Sequence, residues 1–135
     1  GRDYAASRGE YLNGRVIAAY LGYEFIDAAE VIVFHEDGTF DAETTNEKLS
    51  ARLAECDNAV IPGFYGATAE GKVTTFSRGG SDITGSLIAK AVHADLYENW
   101  TDVSGFTYHQ KSESDRYHHL CRASRAGIHG CYRAS

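Results

Sequence analysis

Methionine is absent from all 135 residues. A gene needs an initiator codon, so a chain that opens on Gly1 and lacks this residue throughout reads as a cut from within a longer protein. Cysteine is scarce. Three are present, an odd number, which disfavours a disulfide framework and points to a reducing, cytoplasmic setting. No apolar run approaches a membrane span, and no signal-peptide pattern opens the chain. Positive charge is in deficit, with 13 Lys and Arg against 19 Asp and Glu and a formal net charge of −6. That balance argues against a nucleic-acid binder working by phosphate neutralisation. What is present suffices for a core: 43% of residues are hydrophobic, in a length that suits one small domain or a piece of a larger one.

The hydrophobic pattern then orders the chain. Ser7 to Tyr20 reads as a helix, with Ser7 as its cap, Glu10 at the capping-box spacing, and Leu12, Val16, Ile17 and Tyr20 recurring on one face. Gly22 ends it and Tyr23 to Ile26 reads as a short strand. Ala28 to Phe34 suits a helix or a strand equally. Glu36-Asp37-Gly38 is a turn, and Thr44 or Thr45 caps a helix reaching about Cys56. Ala59-Val60-Ile61 is a buried strand closed by Pro62-Gly63. Phe64 to Lys72 reads as a loop or open hairpin returning through Val73 to Phe76. An apolar helix, Ile83 to Val92, follows a glycine loop and is started by Ser81 and Asp82, with Leu87, Ile88 and Ala91 on its inner side. Asp95 to Trp100 reads as a further strand. Helices alternating with strands at this spacing predict an α/β domain with a mostly parallel sheet.

Three places could carry chemistry. In Ser77-Arg78-Gly79-Gly80-Ser81-Asp82, the glycines let a backbone approach a ligand and the helix start favours an anion. Arg78 adds a bidentate donor for a carboxylate. A plain turn with a Ser or Asp cap fits the same residues. Thr101-Asp102 ends the expected last strand, where ligands gather in α/β sheets, though Asp102-Val103-Ser104-Gly105 also suits an Asx-type turn. Glu10 serves either as the capping-box partner or as a carboxylate facing a ligand's ammonium group.

Four ordered blocks resemble aspartokinases of the amino-acid kinase family, the clostridial type most closely. They are Ser7-Arg8-Gly9-Glu10, Pro62-Gly63-Phe64-Tyr65-Gly66, Thr74 to Asp82, and Trp100 to Phe106. The resemblance implies part of a three-layer α/β/α sandwich spanning residues 1–106. It implies phosphorylation of the L-aspartate side chain by ATP with Mg2+, and it admits a homo-oligomer of the full-length protein. By the same resemblance, Glu10 contacts the substrate's amino group, Arg78 its carboxylate, and Ser81 helps to seat it. Asp82 acts near the transferring phosphoryl group, the Gly79 and Gly80 amides face the nucleotide side, and Thr101 and Asp102 line the adenosine. No metal-ligating residue is assigned. The family's K-F-G-G strand and its Ser/Thr-rich segment have no counterpart, and Ser77 stands where many members carry glycine. The piece alone is therefore expected to be essentially inactive.

Thr107 to Ser135 departs from the family. With chosen codons it reads, one base out of frame, as a string resembling the family's continuation, in which a Y-x-E-L-x-E-L helix precedes M-G-A-x-V-L. The tail is accordingly expected to be a shifted reading frame, disordered or poorly docked. A metal site from His118, His119, Cys121, His129 and Cys131 is the competing reading of it, although the spacing matches no familiar zinc pattern. For the whole chain, the alternatives are another amino-acid kinase, such as a glutamate 5-kinase or uridylate kinase, or a non-catalytic ligand-binding module.

Overall fold

In a computed structural model of the chain, residues 1–100 and the backbone of two short strands, 118–120 and 132–134, are described. Two compact units divide the chain, Gly1–Val92 and His93–Ser135. The first holds α1 (Arg2–Leu21), β1 (Glu24–Phe25), α2 (Ala28–Val31), β2 (Val33–Phe34), α3 (Ala42–Ala54), β3 (Ala59–Val60), β4 (Tyr65–Thr68), β5 (Val73–Thr75) and α4 (Gly80–Ala91). The second holds β6 (His118–Leu120) and β7 (Tyr132–Ala134), which pair antiparallel.

The strands of the first unit form two small sheets. β1 runs parallel to β3, with Glu24 opposite Ala59. β2 runs parallel to β4, and β5 turns back antiparallel on β4. The fold is α/β, with α1 lying against β1, β3 and β5, and α3 packing on α2, β2 and α4. Close approach fixes one register: a Cβ on Gly66 would run into the carbonyl oxygen of Ile32, so only glycine lets β4 sit this near the start of β2.

The core gathers Ile26, Val31, Ile32, Phe34, Leu49, Tyr65 and Ala91, all nearly inaccessible to solvent. Leu87 and Ile88 of α4 pack against it, as their helical spacing predicts. Burial of each large side chain contributes about 1.5–3 kcal/mol. Three phenylalanines, Phe34, Phe40 and Phe76, form a tilted cluster with ring centroids 4.9–5.8 Å apart. Phe76 is thereby anchored immediately before the Ser77–Gly80 loop.

Helix starts differ from the sequence reading in each case. α1 begins at Arg2, so Ser7 is interior and fully buried, and its hydroxyl donates to the Tyr4 carbonyl (2.8 Å). The Ser7–Glu10 capping box is therefore not formed. The turn upstream, Tyr4-Ala5-Ala6, is helix-compatible and simply continues the pattern. α3 is capped by Asp41, whose carboxylate accepts from the Thr44 amide (3.0 Å) and hydroxyl (2.7 Å). These bonds hold its pKa below the usual carboxylate value. Thr45 is buried instead and accepts the Val33 N–H (2.9 Å), a donor that the short strand leaves to a side chain. α4 starts on left-handed Gly79, with no side-chain cap from Ser81 or Asp82. The ambiguous Ala28–Phe34 stretch is both things in turn: α2, capped by Asp27, then β2. Phe64–Lys72 contains a regular buried strand, β4, with a hairpin to β5. Residues 95–100 carry no strand, because no ladder forms on them.

The Gly22 stop, with its left-handed backbone, and the turn at Glu36–Gly38 are as read. No helix among the described residues is long and apolar enough to cross a membrane.

Candidate functional site

Between anchored Phe76 and the first turn of α4 lies the exposed loop Ser77-Arg78-Gly79. Gly79 has φ 58° and ψ 25°, and the helix begins directly after it. Such a left-handed residue followed by helical ones turns successive amides to one side. The first-turn N–H groups have no intrahelical acceptor, and the helix end adds a partial positive charge. Arg78, Ser81 and Asp82 are all exposed around this turn.

The P-G-F block forms the floor. A Cβ on Gly63 would lie 3.1 Å from the Ser81 Cα and 3.3 Å from its Oγ. One on Gly80 would lie 2.6 Å from the Phe64 Cβ and 3.1 Å from the Phe76 Cβ. These two glycines are what allow the β3–β4 corner and the α4 start to touch. Phe64 itself adopts φ 64°, a left-handed conformation costing a bulky residue about 1–2 kcal/mol. Its N–H donates to the Thr84 hydroxyl (3.1 Å) and its carbonyl accepts from the Phe76 N–H (3.0 Å).

The next residue, Tyr65, faces a different neighbourhood. Its hydroxyl donates to Asp27 (2.7 Å). Burial, reinforced by that carboxylate, drives the phenol's pKa well above its usual value. The Arg8 guanidinium lies over the rings of Tyr11 (4.4 Å), Tyr4 (4.5 Å) and Tyr65 (5.5 Å), and donates to the Ser7 hydroxyl. The S-R-G-E and P-G-F-Y-G blocks are thus joined through Arg8 and Tyr65.

Of the residues singled out in the sequence, Gly79, Gly80, Ser81 and Asp82 share one turn with Arg78 beside it. Glu10 is exposed on α1, one turn on from Ser7. Thr101, Asp102 and the tail residues lie outside the described side chains. Sequence reasoning quoted Arg8, Phe64 and Tyr65 within its four blocks without giving them a role, and missed Thr84 and Asp27. Thr84 left one signal, a hydroxyl four residues after Gly80 on an otherwise apolar helix face.

Comparison with known proteins gives the family. The sequence matches the model of the Amino acid kinase family over residues 1–124. It is 42% identical over 109 residues to aspartokinase 3 of Bacillus subtilis, covering 75% of this chain and 24% of that protein. The crystal structure of Clostridium acetobutylicum aspartate kinase superposes with a TM-score of 0.73 at 63% identity, covering 78% of this chain and 24% of that one. That of Escherichia coli aspartokinase III in complex with aspartate and ADP gives 0.67 at 30% identity, covering 76% and 26%. This chain spans about a quarter of the length of the curated relative it matches over 109 residues. The chain belongs to the amino acid kinase family.

Proposed function

We propose that this chain is part of an aspartate kinase, which transfers the γ-phosphoryl group of ATP to the side-chain carboxylate of L-aspartate. A carboxylate oxygen forms the new bond to phosphorus, the bond to the bridging oxygen breaks, and ADP leaves with 4-phospho-L-aspartate as the other product. In this reading the reaction opens lysine, threonine and methionine biosynthesis. The observation that carries it is the contact of the Gly63–Phe64 corner with Gly80 and Ser81, beneath a loop bearing Arg78. Likeness to an aspartokinase whose structure holds aspartate and ADP supports the substrates.

The roles are those the aspartokinase resemblance implies, and the charges of the residues suit them. Arg78 pairs with the substrate's α-carboxylate in a planar, bidentate manner. Glu10 takes its ammonium group, and Ser81 hydrogen-bonds the bound amino acid. The amides of Gly79 and Gly80, at the positive end of α4, accept negative charge from the nucleotide side. Asp82, in the first turn, organises the charges around the transferring group. Thr101 and Asp102 line the adenosine. Mg2+ is usually held by substrate phosphates and one or two carboxylates. When bound, the metal neutralises charge on the phosphoryl oxygens.

The test grafts residues 7–92 into the full-length Clostridium enzyme at the matching positions and follows aspartate-dependent ATP consumption. The graft is expected to turn over. Arg78→Ala in it should lower kcat/KM roughly a hundredfold, about 2.7 kcal/mol in transition-state terms. Full activity in that variant would remove the substrate assignment.

A further inference from the structure

Thr84 is 2% exposed, and its hydroxyl is bonded in two directions. It donates to the Gly80 carbonyl (2.7 Å) and accepts the Phe64 N–H (3.1 Å). The first bond is the usual back-bond of a helical threonine. The second leaves the helix and ends on the backbone of a residue 20 positions earlier, itself held at φ 64°. One oxygen atom therefore couples the strained β3–β4 corner to the opening turn of α4.

We infer that Thr84 is a positioning residue for the acidic-substrate cradle: through the Phe64 amide and the Gly80 carbonyl it sets where Ser81 stands. The inference rests on the reading above and deepens it. Three observations converge on it. Phe64 would relax from the left-handed region were it not pinned, and its two backbone bonds, to Thr84 and from Phe76, are the pins. The space beside Gly80 is too tight for a methyl group, and a Cβ on Gly63 would lie only 3.1 Å from the Ser81 Cα, so a small turn of the corner is felt at Ser81. Thr84 itself lies one turn inside the helix, away from the exposed surface where a ligand would bind. Its influence on a ligand is thus carried by the backbone.

The discriminating pair is Thr84→Val, which keeps the shape and removes the hydroxyl, and Thr84→Ser, which keeps the hydroxyl. In the full-length graft, Thr84→Val should raise KM for L-aspartate roughly tenfold, since a buried N–H loses its acceptor. KM for ATP should stay within about twofold, and Thr84→Ser should restore most of the aspartate affinity. Equal rises in both KM values, or no rescue by serine, would overturn the inference. So would an aspartate KM unchanged in Thr84→Val.

An inactive unsubstituted graft would sink the kinase reading, and Thr84 would then be judged in the 135-residue chain by amide exchange. There the Ile83 amide, bonded to the Gly79 carbonyl (2.9 Å), reports the first turn. It should exchange roughly tenfold faster in Thr84→Val, and as slowly as in the parent in Thr84→Ser, relative to the Ile32 amide in the core. Unaltered Ile83 exchange in the valine variant would reject the coupling.

Discussion

Phe64 and Tyr65 are adjacent in sequence, yet they are held by opposite means. Phe64 is fixed by what its neighbours lack: glycines at 63 and 80 let backbone meet backbone, and a single hydroxyl closes the gap. Tyr65 is fixed by what its neighbours carry: the Asp27 carboxylate on its hydroxyl and the Arg8 guanidinium over its ring. The first arrangement tolerates no added volume at Gly80. The second is a polar post in a buried place, dependent on charge state. One strand start thus joins a steric device, on the side of the candidate site, to an electrostatic one that ties α1 and α2 to the sheet.

The contrast breaks most sharply at Gly80. Alanine there would place a methyl 2.6 Å from the Phe64 Cβ. It should cost about 3 kcal/mol in urea unfolding, the upper range for overpacking. A near-neutral result would show the corner to be compliant. Tyr65→Phe should lose about 1.5 kcal/mol, since the hydroxyl's partner is a carboxylate. It carries a pH signature as well. The phenol's pKa is raised in the folded state above its ordinary value of 10.0, so its contribution is fully present below pH 10 and is lost as the pH rises further. The gap in Tm between parent and Tyr65→Phe should therefore narrow above pH 10, and a constant gap would refute the assignment. The smallest effect belongs to Arg8→Lys. A lysine cannot stack a planar fork over three rings, and a loss of about 0.5–1 kcal/mol is expected by chemical denaturation.

Much of the architecture was legible because some signals have one physical meaning. Gly22 ends α1 in a left-handed turn, and Leu87, Ile88 and Ala91 face inward because helical spacing puts them there. Helix starts were less readable, since Ser, Thr and Asp can each cap, back-bond or serve a neighbouring strand. Ser7 back-bonds, Thr45 takes the Val33 amide, and Asp41 does the capping. The glycine loop and Arg78 stood out in sequence, and Gly79 and Gly80 do shape the turn there. The roles of Phe64 and Thr84 did not, because they arise from a contact between residues 20 positions apart. No local pattern encodes such a pairing. Asp27 was hidden for the same reason, being 38 positions from Tyr65.

Gly66 carries a consequence for inheritance. Any side chain there would collide with the Ile32 carbonyl across the β2–β4 pair. Every single-base change in the first two letters of a glycine codon that still encodes an amino acid introduces such a side chain. Neutral drift at this codon is therefore confined to its third base.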